Sequence, residues 1–251
     1  MRPSSLGLSI FLLFFSRSDP VPSKILSTKN SNAPKISGVD LPSEKLNDTT
    51  VVSQFNLVDV HALNKAIFVE LKYATSDNFM GMVLYERLKN AYLQKDVAER
   101  LSKVQDYLSQ LKPGFHLLIY DALRPVSVQQ KMWDALDSLP PAELGKFVSN
   151  PKNRSLHNLG AAVDLTIVNE KGEPLDMGAG YDDIRQIAYP SKEKQFLSEG
   201  KLSAIHIENR DLLRKVMKSQ QFRQIPTEWW HFNACSREEG ILKYKVLLVE
   251  P

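Results

Sequence analysis

The sequence predicts a single-domain α+β protein, with a central, mostly antiparallel sheet flanked by helices. Three observations predict it. The chain has 251 residues and is 43% apolar, enough for one substantial core, and carries no internal repeat or low-complexity array. Segments with helical spacing and segments with strand character both occur. They do not follow the regular βαβ alternation of a doubly wound sheet.

The chain opens MRPSSLGLSIFLLFFSRSDP, with Arg2 followed by an apolar run from Leu6 to Phe15. That run is shorter than a membrane span of about 20 residues and suits a secretory signal. Residues 1–18 therefore read as a signal peptide or N-terminal anchor. Residues 19–55, rich in Ser, Thr, Asn, Pro and Lys, read as a flexible tether. Residues 56–251 form the folded domain, which is expected to be exported, to the periplasm. No stable membrane span is expected.

Without the leader, Arg2 and Arg17 are lost, and the 32 basic residues fall to 30 against 29 acidic ones. A balanced, scattered charge excludes an electrostatic footprint for nucleic acid. Cys235 is the sole cysteine, so neither an intramolecular disulfide nor a thiolate metal cluster can form. Asn47 and Asn153 match the glycan acceptor pattern; a glycan at Asn153 would obstruct the motif that begins at Ser155, so both read as chance matches.

Within the domain, AIFVELKYAT (66–75) reads as a strand running into a loop. From Tyr92 to Leu111, apolar residues recur at Leu93, Val97, Leu101, Val104, Leu108 and Leu111. This spacing predicts an amphipathic helix, stopped by Pro113 and Gly114. FHLLIYD (115–121) reads as a buried strand leading into the ALRP turn, and SVQQKMWDAL (127–136) as a helix. AAVDLTIV (161–168) alternates as a strand, IENRDLLRKVMKSQQF (207–222) is a second strong helix, and WWHFNA (229–234) a short strand. YKVLLV (244–249) reads as a final strand.

Chemistry concentrates in SLHNLGAAVD (155–164). On the strand, Val163, Leu165 and Ile167 share a core-like face, so Asp164 points the other way beside the small Ala162. Gly160 lets the chain turn and brings His157 over the same face. An imidazole and a carboxylate meeting at one point begin a metal site. A third ligand comes best from TEWWHF (227–232), with His231 as ligand and Glu228 as the base that deprotonates a water. Strand parity would point these two apart, so Glu228 is placed in the loop after Pro226. Arg124, in YDALRP, is the candidate for stabilising negative charge on a carbonyl oxygen.

Each residue also has a plain reading. Arg124 can pair with Asp121, Trp133, Trp229 and Trp230 can be packing residues, and His116 a satisfied structural histidine. His61 and His206 belong to no constellation.

Taken together, Ser155, His157, Gly160, Ala162 and Asp164 in S-x-H-x-x-G-x-A-x-D, with Glu228 and His231 in E-x-x-H, resemble the zinc D,D-peptidases that cleave D-alanyl-D-alanine, a fold shared with the hedgehog signalling domain. ELKYATSDNF (70–79), YDALRP (120–125), AVDLTI (162–167), DMGAGYD (176–182) and TEWWHF resemble the D-alanyl-D-alanine dipeptidases of the vancomycin-resistance type. The likeness runs from about Val58 to Phe232. It implies one Zn²⁺ per chain held by His157, Asp164 and His231, with Glu228 as general base and acid and Arg124 steadying the tetrahedral intermediate. It also implies that Asp182 lies near the substrate ammonium and that Ser155 and Tyr73 line the pocket. Three positions depart from the pattern: Glu70 replaces an aspartate, YDALRP replaces YDGYRP, and Tyr181 replaces a phenylalanine. The expected activity is hydrolysis of the D-alanyl-D-alanine dipeptide in cell-wall turnover or salvage. The alternatives are a D,D-carboxypeptidase acting on longer muropeptides and a zinc-retaining binding module.

Overall fold

The computed structural model describes residues 52–136, 140, 144–145 and 148–251. The leader and nearly all of the tether lie outside these residues; residues 52–54, at the tether's end, are helical. In chain order the strands are β1 (Leu57–Asp59), β2 (Phe68–Val69), β3 (Tyr92–Gln94), β4 (His116–Asp121), β5 (Ala162–Val168), β6 (Arg223–Gln224) and β7 (His231–Asn233). The helices are α1 (Val60–Leu63), α2 (Lys95–Leu111), α3 (Val126–Ala135), α4 (Glu193–Ser198), α5 (Ala204–Ser219) and α6 (Arg237–Lys243).

The central sheet has the order β2-β4-β5-β7-β6, parallel only between β2 and β4. The expected α+β architecture with a largely antiparallel sheet is therefore the one observed. β1 and β3 form a separate antiparallel pair. All seven residues of β5 are buried, so the face bearing Asp164 is covered as fully as the Val163–Leu165–Ile167 face.

Helix α2 buries Val97, Leu101, Val104 and Leu108 completely, each worth about 1.5–3 kcal/mol. It packs against β4 and α5. The helix starts at Lys95 rather than Tyr92, because Tyr92–Gln94 pair with β1. Leu93, fully buried by that pairing, keeps a spacing of four to Val97 and so extends the helical pattern into a strand.

Three further expectations are corrected. The 66–75 strand is confined to Phe68–Val69 and is followed by a 3-10 turn at Lys72–Ala74. The 229–234 strand begins only at His231. Residues 244–249 form no strand; they run as a strap across the start of α3. The Val126 and Ser127 N–H groups donate to the carbonyls of Leu247 and Leu248 at 3.0 and 2.8 Å. These are donors that a helix start cannot satisfy within itself, so the tail serves as their acceptor. The Glu250 carboxylate accepts the N–H groups of Glu86, Arg87 and Leu88, which fastens the strap's far end.

Candidate active site

Cross-strand register assembles half the site. Asp164 on β5 lies directly opposite His231 on β7, so their side chains share a face, and His231 Nδ1 is 2.9 Å from Asp164 Oδ1. His157 arrives from the 3-10 turn Leu156–Leu159, which ends at Gly160 with φ +64°. A side chain at Gly160 would meet Leu57 Cδ2 at 3.1 Å and the Gln94 backbone nitrogen at 3.3 Å, so the turn needs glycine for both conformation and space. His157 Nε2 then lies 3.1 Å from His231 Nδ1 and 3.3 Å from Asp164 Oδ1.

Neighbouring groups fix which nitrogen of each ring is presented. His157 Nδ1 donates to the Ala122 carbonyl at 2.6 Å, leaving Nε2 as its inward atom. His231 Nε2 donates to Asn233 Oδ1 at 2.8 Å, leaving Nδ1 inward. Burial alone would lower the His231 pKa, but the hydrogen bond and charge of Asp164 outweigh it and draw the ring up to about 9. Burial likewise opposes ionisation of Asp164, yet the charges and hydrogen bonds of His157 and His231 hold it well below the usual carboxylate range. His157 Nε2, His231 Nδ1 and Asp164 Oδ1 thus face one another.

These residues fit a metal ion. The three ligand atoms lie within 4.8 Å of one another, the one such His, Cys, Asp or Glu group among the described residues. Their separations of 2.9, 3.1 and 3.3 Å approach the edge of about 3.3 Å expected for a tetrahedron with bonds of about 2.0 Å. The carbonyl and amide holding the outer nitrogens are the supports that metal-binding histidines require.

Arg124 follows β4, where a bulge re-aims the strand end. The register shifts between Ile119 and Asp121, which places Asp121 opposite Asp164. Arg124 neutralises this carboxylate pair: Nε and Nη2 donate to Asp121 Oδ2 at 2.8 and 2.6 Å, and Nη2 reaches Asp164 Oδ2 at 3.4 Å. Its guanidinium also lies over the Tyr73 ring, 4.9 Å from the centroid. The pairing with Asp121 is therefore present, and Arg124 lines the cavity as well.

Glu228 stands in the loop after Pro226, with Oε2 3.8 Å from His231 Nδ1. Burial pushes its carboxyl above the ordinary range, with Asp164 adding to the effect and His231 opposing it. Tyr73 donates to Asp182 Oδ1 at 3.1 Å, whereas Asp182 Oδ2 is buried with no hydrogen-bond partner. Asp182 itself adopts φ +57°. Burial and the charge of Asp164 push its carboxyl well above the usual range. Ser155 Oγ donates to Gln129 Oε1 at 3.1 Å, and Asn158 ties Gln129 to the Arg124 carbonyl.

All eight expected site residues line a single cavity of ≈ 270 Å³: Tyr73, Arg124, Ser155, His157, Asp164, Asp182, Glu228 and His231. Trp229 is a buried packing residue, Trp230 is buried and also lines the cavity, and His116 is satisfied by the Ala66 carbonyl and a stack on Phe68. His61 and His206 bond elsewhere, to Ile67 and Asp176. Sequence reasoning missed the supports Asn233, Gln129, Asn158 and Tyr181, whose hydroxyl is 3.3 Å from Asp164 Oδ2. Asn233 left a signal, since it sits two positions from His231 and so shares its face; Tyr181 left one only as a tyrosine where the resembled pattern has phenylalanine.

A cation-binding trio with a carboxylate and a guanidinium on the same cavity belongs to hydrolytic metalloenzymes, since a purely structural ion has use for neither. The sequence pattern of the D-ala-D-ala dipeptidase family matches residues 53–245. The chain is 34% identical over 187 residues to the D-alanyl-D-alanine dipeptidase of Escherichia coli K12, covering 74% of this chain and 86% of that one. It is 30% identical over 168 residues to the enzyme of that name from Synechocystis, covering 56% and 68% of the two chains. A third, from Enterococcus faecalis, is 29% identical over 177 residues, covering 65% and 83%. The chain belongs to the D-alanyl-D-alanine dipeptidase family and is a metallopeptidase.

Proposed function

We propose that the chain hydrolyses the D-alanyl-D-alanine dipeptide with one zinc ion held by His157, Asp164 and His231. The observation that carries this reading is the convergence of those three ligand atoms in one small cavity with Glu228 and Arg124. When bound, zinc polarises the scissile carbonyl and activates water at neutral pH. Glu228 takes the proton of the attacking water and later delivers it to the leaving amine. Arg124 stabilises the charge that develops on the carbonyl oxygen, held in aim by Asp121.

The partnerless Asp182 Oδ2 supports an ammonium subsite beside Tyr73, because a substrate ammonium supplies the missing donor. Ser155, which lines the same cavity, offers a hydroxyl to the peptide. The cavity of ≈ 270 Å³ is small beside the roughly 300–1,000 Å³ common for small-molecule sites, in keeping with a small peptide substrate. Comparing kcat/KM for free D-alanyl-D-alanine and for a pentapeptide ending in it tests this reading. Faster turnover of the dipeptide is expected; strong preference for the pentapeptide would make the chain a D,D-carboxypeptidase.

In the same reading, residues 1–18 are a signal peptide or N-terminal anchor, 19–55 a tether and 56–251 the catalytic domain, exported to act on cell-wall peptides in the periplasm. The Leu6–Phe15 run with Arg2 before it supports export. Among the described residues, no helix is long and apolar enough to cross a membrane.

A further inference from the structure

Tyr181 takes no part in the steps above, and its ring is accounted for by packing. It lies 4.9 Å from the Tyr120 ring, 5.5 Å from that of Trp230 and 6.2 Å from that of Tyr73, measured between centroids. Such contacts explain an aromatic ring; they do not explain a hydroxyl. That hydroxyl lies 3.3 Å from Asp164 Oδ2, and Arg124 Nη2 lies 3.4 Å from the same oxygen. The other oxygen, Oδ1, faces the two imidazoles at 2.9 and 3.3 Å. The two oxygens of Asp164 are thus divided between two surroundings, one of protein donors and one of metal-ligand nitrogens.

We propose that Tyr181 is a positioning residue for the metal ion: its hydroxyl, with Arg124, occupies Asp164 Oδ2 and restricts the carboxylate to ligation through Oδ1 alone. The proposal rests on the metal-binding reading given above. A carboxylate free to rotate can offer both oxygens to a cation, which raises the coordination number and fills a position that water and substrate need. Arg124 alone holds Oδ2 weakly, because its shorter bonds of 2.8 and 2.6 Å go to Asp121. A phenol keeps its proton at neutral pH and is therefore a donor to Oδ2.

Tyr181→Phe removes only the oxygen and keeps the ring packing, so it isolates the contact. Zinc affinity of the full chain is measured by competition with a chromophoric chelator, and coordination from the visible spectrum of the cobalt-loaded protein. The variant is expected to bind zinc about tenfold more weakly, within the 10–100-fold typical of losing a ligand's hydrogen-bond partner. Its cobalt bands should weaken and shift, as four ligands give way to more. Thermal unfolding of the metal-free variant should match that of the unaltered chain, which separates positioning from general destabilisation. Tyr120→Phe, which loses a neighbouring phenol with no bond to Asp164, should leave both readouts unchanged. Unaltered zinc affinity and an unaltered cobalt spectrum in Tyr181→Phe overturn the proposal. An unaltered chain that takes up no zinc overturns the metal-binding reading itself, and the proposal with it.

Discussion

At Glu228 the useful property is a carboxyl pushed above its ordinary pKa while it sits 3.8 Å from His231. A group so placed handles protons and need not ligate. Glu228→Ala should therefore lower kcat by about 10²–10⁴-fold or more while zinc remains bound, checked by metal analysis of the same sample used for kinetics. Wild-type turnover in that variant would remove Glu228 from the proposed mechanism. His231 carries a second expectation. Its folded pKa of about 9 lies above the unfolded value of about 6.5, so its stabilising contribution is complete below about 6.5 and is lost as pH rises through about 9. Zinc needs the neutral ring, so at pH 7 uptake should release about one proton, and apparent affinity should rise with pH up to about 9. Calorimetry in buffers of different ionisation enthalpy reads this directly. Uptake without proton release would show that His231 is not charged before the metal arrives.

Among the elements, the turn between residues 156 and 160 and the strand that follows it control where the ligands meet. Gly160→Ala places a side chain at φ +64° against the Gln94 backbone, which cannot give way as a flexible side chain could. A loss of about 1–3 kcal/mol in urea unfolding is expected, together with weaker zinc binding because His157 is displaced. Unchanged stability would mean that the turn tolerates the side chain after all. This stretch was legible in the sequence because its histidine, glycine and aspartate lie within one turn and one strand. Other elements were not. Tyr92–Gln94 carries a helical spacing but is captured by β1, so tertiary pairing overrides the local pattern. The bulge before Asp121, which sets that carboxylate opposite Asp164, leaves no mark on hydrophobic alternation. The tail at 244–249 has strand composition, but its carbonyls satisfy the first turn of α3 instead of joining a ladder.

For the whole molecule, the sheet order β2-β4-β5-β7-β6 brings together groups that are far apart in sequence. His157, Asp164, His231 and Glu228 could be singled out in the sequence because their types and spacings suit only a few chemistries; the structure brings them to one cavity. Asp121 could be read only as a partner of Arg124, and Tyr181 only as a departure from the family pattern, since their places around Asp164 depend on topology. In the proposed mechanism, peptide hydrolysis depends on an ion held by His157, Asp164 and His231. The most direct test is to measure zinc content and D-alanyl-D-alanine hydrolysis on one preparation, before chelation, after it, and after zinc is returned. One zinc per chain is expected, with activity lost when the metal is removed and restored when it is returned. Undiminished hydrolysis by the metal-free chain would contradict that mechanism.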